Sequence, residues 1–186
     1  MAFLVSSLTA LVMIFSSPIS SMICDLPQSL DLGKQETFTA LKQMQRISSF
    51  LCQKDRKNFR FPRKMVDGSQ VQKAQVISVL HEMFQQTFNI FGTEQSSAAW
   101  NMTLLHGLLS GLYRQLEDLG TCLVPEMKEV ESALRMEDST LAVRRYFQGI
   151  HLYLKEKQYS DCAWEVVRVE IRRYLFIVNK FARKEI

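Results

Sequence analysis

The side chains in this sequence best suited to covalent chemistry are its four cysteines, Cys24, Cys52, Cys122 and Cys162. Their spacing contains no C-x-x-C pair, so neither a redox motif nor a zinc site is written there. An even set of cysteines behind an apolar leader reads instead as a disulfide framework, whose chemistry is oxidative cross-linking during export. Four cysteines permit three pairings, and the residues alone do not choose among them. Pairing Cys24 with Cys122 and Cys52 with Cys162 would close two loops of roughly 100 residues, each worth about 4.7 kcal/mol in the chain-entropy account.

Other reactive groups do not assemble into a catalytic pattern. His81, His106 and His151 fall in three separate helical segments. His81 opens the string HEMFQ, which lacks the second histidine of an H-E-x-x-H zinc site. Glu117 and Asp118 are adjacent, and neighbours on a helix do not face each other as an acid–base pair must. There is no glycine-rich phosphate loop and no G-x-S-x-G elbow. The expectation is a protein that is not an enzyme and uses neither metal nor cofactor. One modification signal stands out: Asn101-Met102-Thr103 is an N-glycosylation acceptor, which requires Asn101 to face solvent.

The elements that must position these groups begin after a leader. Residues 1–23 contain no Asp, Glu, Lys or Arg, and the apolar run over 3–15 is too short to span a bilayer. We read 1–23 as a signal peptide, cut after Ser20 or Ser21, and 24–186 as one secreted helical domain. No later stretch is apolar enough for membrane insertion. With 23 Lys and Arg against 19 Asp and Glu, the formal charge of +4 lacks the dense basic signature of a nucleic-acid binder. The basic cluster over 54–64 is interrupted by Asp55, Asn58 and Phe59 and reads as a solvated loop.

Helical periodicity recurs in five segments: 30–47, 71–91, 98–119, 141–155 and 161–181. Phe38, Leu41 and Met44 mark the first inner face; Val76, Val79, Leu80, Met83, Phe84, Phe88 and Phe91 mark the second. Leu104, Leu105, Leu108, Leu109, Leu112, Leu116 and Leu119 mark the third. Leu141, Phe147, Ile150 and Leu154 should face inward on the fourth, and Val166, Val167, Ile171, Tyr174, Leu175 and Val178 on the fifth. Ser96 or Ser97, Asp138 with Ser139, and Ser160 are candidate caps. The connection over 48–70 holds Pro62 and the turn pair Asp67-Gly68; that over 120–137 holds Pro125. Two long connections suit an all-α, up-up-down-down bundle of the cytokine type.

Several long strings then carry a specific resemblance. They are CDLP from Cys24, QMQRISSFLCQKDR from Gln43, VLHEMFQQTFNIF from Val79, SSAAWNMTLL from Ser96 and RRYFQGIHLYLKEKQYSDCAWEVVR from Arg144. In that order, across nearly the whole chain, they resemble the type I interferons of the alpha, omega and tau subgroup. SSAAWNMTLL leans toward omega.

The resemblance implies a five-helix monomeric cytokine with disulfides Cys24–Cys122 and Cys52–Cys162. It also implies that the protein brings together subunits 1 and 2 of the interferon alpha/beta receptor. Janus kinases and STAT proteins would then drive an antiviral, antiproliferative response. The subunit 2 face would comprise Arg56, Arg168, Val169, Arg172, Arg173 and Ile177. The subunit 1 face would comprise Phe88, Asn89, Thr93, Leu104, Tyr113, Arg144 and Arg145. The chain departs from the family at Gln53, where leucine is common, at Arg172, where methionine is usual, and in the tail from Tyr174. Read from the residues alone, a secreted helical carrier of an apolar ligand is the competing function, and a roomy empty cavity would favour it.

Overall fold

The computed structural model describes residues 26–63, 73–126 and 130–185. The leader, Cys24 and the Asp67-Gly68 pair lie outside the described residues. Six helices follow one another: α1 (Leu26–Gln43), α2 (Lys73–Phe91), α3 (Glu94–Ala99), α4 (Met102–Glu126), α5 (Val130–Glu156) and α6 (Asp161–Glu185). A short 3₁₀ turn, Gln53–Asp55, punctuates the first long connection. No strand occurs among the described residues.

The helices match the sequence expectation with local corrections. The third expected helix is two. Thr93, with extended backbone, accepts the Ser96 N–H on its Oγ1 and starts the short α3. Ser96 and Ser97 therefore lie inside α3 and cap nothing. The chain breaks at Trp100, and Asn101 starts α4 by accepting the N–H groups of Thr103 and Leu104 on Oδ1 at 3.0 and 3.3 Å. The fourth expected helix starts earlier, at Val130, so Asp138 and Ser139 are interior. Ser139 accepts Gln75 Nε2 on its hydroxyl oxygen at 2.7 Å and so ties α5 to α2. Ser160 does cap α6, accepting the Ala163 N–H at 3.3 Å.

Contacts between elements fix their directions. Glu36 and Thr37 meet Arg114 and Gln115, whereas Gln43 lies beside Thr103, so α1 and α4 run antiparallel. Leu41 meets Arg168 and Arg46 meets Asp161, so α6 descends alongside α1. Thr87 bonds Tyr174 and Phe91 packs on Trp164, which makes α2 antiparallel to α6. Helices α1 and α2 thus point up, and α4 and α6 point down. Helix α5 lies along α2 in the same direction, with Gln75 on Ser139 and Glu82 on Arg144. At the α1–α4 crossing a Cβ on Gly111 would sit 3.1 Å from Thr37 Oγ1, so glycine is what lets the helices approach there.

The core takes most of the expected stripe. Leu41, Met44, Leu80, Phe91, Leu108, Leu112, Phe147, Ile150, Val167 and Ile171 are buried, while Phe38, Phe88, Leu104, Leu109 and Leu116 pack at its margin. Leu141 is a correction: it is exposed, because six residues before Phe147 puts it about 120° off the buried face, whereas Val143, four before Phe147, falls on it. An aromatic cluster closes one end, with Trp100 and Trp164 rings 6.1 Å apart and Phe91 against both.

Candidate interaction surfaces

The first candidate surface is built on the connection after α1. Cys52 is bonded to Cys162 across 110 residues, which fastens this loop to the start of α6. Cys122 is also oxidised; its expected partner, Cys24, lies outside the described residues. Beyond the bridge, Tyr153 Oη donates to the Asp55 carbonyl at 2.7 Å, and the Asp55 carboxylate meets Lys157 Nζ at 3.0 Å. Phe59 sits edge-on to Tyr153, and Phe61 stacks on Tyr174 and stands edge-on to Tyr146. Burial and the Asp55 carboxylate push the Tyr153 phenol up to about 12, so it remains a donor at any physiological pH.

This anchoring leaves Arg56 exposed, directly after the 3₁₀ turn, with extended backbone. On α6, Val169 and Arg173 are exposed, and Arg172 and Ile177 are half-buried. Arg173 is held in a fixed orientation by Glu170, with its Nε and Nη2 at 3.0 and 2.7 Å from the two carboxylate oxygens. Glu170 also accepts Tyr146 Oη at 2.7 Å, and burial with that carboxylate drives the Tyr146 phenol far above its usual range.

Arg168 does not belong on this surface. It is 1% exposed, paired with the equally buried Glu165, and donates Nη1 to the Leu41 carbonyl at 2.6 Å. The helical wheel places it next to Val169, but its long side chain reaches back under α1. Sequence reasoning missed two exposed apolar residues, Phe50 and Leu51, at 72% and 74% exposure, whereas Phe176, in the divergent tail singled out in the sequence, is 66% exposed on α6. The signal was available in the adjacent Phe50-Leu51 of an otherwise polar loop, which no helical stripe claims.

The second candidate surface is less continuous. Arg144 is exposed and grips the nearly buried Glu82 through Nε and Nη2 at 2.9 and 3.0 Å. Burial would raise the Glu82 carboxyl, but hydrogen bonds from Arg144 and Gln86 outweigh it and hold the group below its ordinary value. Asn89, Tyr113 and Arg145 are exposed, and Glu117 raises the Tyr113 phenol by accepting its hydrogen bond. Phe88 packs against the core, and Thr93 is occupied as the α3 cap. Leu104 lines a different place, the groove between α1 and α4, away from the Glu82–Arg144 seam of α2 and α5.

That groove encloses about 690 Å³ but opens to solvent and is lined by Gln35, Glu36, Thr39, Gln43, Thr103 and Arg114 as well as Leu104. A cleft this open to solvent, with Glu36 and Arg114 in its wall, does not enclose an apolar cargo. No group of three potential metal ligands and no helix able to cross a membrane occurs among the described residues. Asn101, the glycosylation candidate, is exposed, and its capping role uses Oδ1 and leaves Nδ2, the atom a glycan would take, unengaged by the cap.

The family model described as "Interferon alpha/beta domain" matches residues 26–185. The chain is 59% identical to human interferon omega-1 over 177 residues, covering 95% of this chain and 91% of that one. It is 62% identical to Equus caballus interferon omega-2 over 173 residues, covering 93% and 89%. Zebrafish interferon 2 has a similar structure, with a TM-score of 0.66 at 22% identity, covering 79% of this chain and 96% of that one.

Proposed function

The chain belongs to the interferon alpha/beta family, and from that premise we propose that it is a secreted cytokine that unites the two subunits of the interferon alpha/beta receptor. With no assembled catalytic group among the described residues, its action is geometric. A rigid bundle offers two separate surfaces, and once one receptor chain is held, the second is recruited within the membrane plane at a high effective concentration. Kinases attached to the receptor tails then meet, and STAT phosphorylation follows.

The observation that carries this reading is the loop holding Arg56. A disulfide, a buried tyrosine and two seated phenylalanines fix its backbone, so Arg56 stands ordered before any partner arrives. Preorganisation lowers the entropy cost of binding, and a guanidinium can bridge several carbonyls or a carboxylate at once. We assign subunit 2 to Arg56 with Val169, Arg172, Arg173 and Ile177, with Arg168 positioning α6 from beneath. Subunit 1 is assigned to Asn89, Tyr113, Arg144 and Arg145, with Phe88 and Thr93 at the edges and Leu104 set apart in the α1–α4 groove.

The test applies purified protein to same-species cells. STAT phosphorylation should appear and should vanish when either receptor subunit is deleted; a response that survives both deletions would refute the assignment. Arg56→Ala should weaken subunit 2 binding at least tenfold, about 1.4 kcal/mol, and leave subunit 1 binding unchanged. Gln53→Leu should tighten subunit 2 binding by adding apolar contact near Arg56.

A further inference from the structure

The stretch from residue 53 to 63 carries more positive charge than its anchoring uses. It contains Lys54, Arg56, Lys57, Arg60 and Arg63 against one carboxylate, Asp55. That carboxylate is committed inward to Lys157, and Lys57 is committed to Glu156 at 3.7 Å. The remaining four cations, Lys54, Arg56, Arg60 and Arg63, are exposed, and none has an acidic partner among the described residues.

The backbone that carries these cations is held in place. Phe59 and Phe61 are seated on Tyr153, Tyr146 and Tyr174, so the residues around them are turned to solvent. Between the two rings Arg60 takes a left-handed backbone, φ 55°, with its N–H donated to Asn58 Oδ1 at 3.0 Å. A non-glycine residue in that region marks a loop shape imposed by its surroundings. The outcome is a short cationic strip of fixed shape.

We propose that this strip binds a linear sulfated polysaccharide, with Arg60 and Arg63 as the principal sulfate ligands and Lys54 and Arg56 extending the track. Guanidinium forks match such tetrahedral oxyanions bidentately, and a fixed strip loses little entropy on binding. A single-stranded nucleic acid is disfavoured because both rings of the strip face inward and offer no stacking platform. A lipid surface would have to insert the exposed Phe50 and Leu51 beside the strip, because the strip's own rings are seated inward, and the vesicle arm of the test separates that outcome. The strip shares Arg56 with the surface assigned to subunit 2, but Arg60 and Arg63, the two residues the test removes, are not part of that assignment.

The experiment measures binding of the full secreted protein to heparin across a series of NaCl concentrations. Arg60→Gln/Arg63→Gln is compared with Lys42→Gln/Arg114→Gln, which removes the same charge from α1 and α4. The loop variant should bind at least tenfold more weakly at physiological salt, with its log–log salt slope smaller by about two, one for each cation removed. The control variant should stay close to the parent. Equal losses in the two variants, no parental binding at physiological salt, or parental preference for single-stranded DNA or phosphatidylserine vesicles would each overturn the proposal. Retained STAT signalling shows that the loop variant is folded; if it is lost, Lys54→Gln/Arg63→Gln, which leaves the strained Arg60 backbone untouched, replaces it with the same expected outcome.

Discussion

Arg168 and Glu165, one turn apart on α6, form a two-pronged ion pair with N–O distances of 2.8 and 2.7 Å, and neither side chain is more than 1% exposed. The pair is closed off by the Leu41 carbonyl of α1, which takes the third guanidinium bond. Two charges removed from water are tolerable because each guanidinium nitrogen and both carboxylate oxygens have a partner.

Glu165→Ala should therefore lower stability by about 3–5 kcal/mol, because it strands a buried guanidinium. Glu165→Leu combined with Arg168→Met should recover most of that loss. Urea unfolding of the three proteins checks this. A loss for Glu165→Ala of only about 1 kcal/mol, the scale of an exposed pair, would mean that water reaches the site.

Arg60 pays for the loop's shape with a left-handed backbone, φ 55°. Arg60→Gly should raise stability by about 0.5–1 kcal/mol, the left-handed penalty less the greater freedom of an unfolded glycine. The midpoint of denaturant unfolding is the readout, and a fall would show that the arginine side chain supports the loop.

Asn101 carries two roles that substitutions separate. Asn101→Ala should remove both glycan and helix cap, costing about 1 kcal/mol in the unglycosylated protein. Asn101→Asp should remove the glycan and keep the cap, since a carboxylate oxygen can accept the same N–H groups. Mobility before and after glycosidase treatment, with unfolding of bacterially made protein, distinguishes them.

Acid should destabilise the fold in two stages. Burial lowers His151, and lowers His81 against the pull of Glu82, both from an ordinary 6.5. The folded state then resists protons that the unfolded chain accepts, so stability falls as pH drops through 6.5 and stops falling below the folded values. Glu82, held below its ordinary 4.5, adds a loss only as pH falls beneath that value. Unfolding midpoints from pH 8 to 3 should show both stages, and His81→Gln/His151→Gln should flatten the first. An unchanged first stage would place its origin elsewhere.

Much of this was legible in the chain because it is local. The apolar spacing of Val76 to Phe91 and Leu105 to Leu119 specifies amphipathic helices, since 3.6 residues per turn bring those positions to one side. The Ser160 cap and the Asn101 sequon are likewise short-range. Family resemblance added the Cys52–Cys162 pairing that four cysteines alone leave open.

Which segments coil, and which side of each seeks cover, follow from neighbours a few bonds away and so are written in the chain. The fate of individual polar groups is set instead by how the helices pack. Packing buried Arg168, which its helix alone would leave beside Val169, by supplying Leu41 from another helix. It paired Asp55 with Lys157 and Lys57 with Glu156 while leaving Arg56, Arg60 and Arg63 exposed and without an acidic partner among the described residues. A charge is exposed or satisfied according to what other parts of the chain bring within hydrogen-bonding reach, and that distance is set by packing, not by sequence spacing.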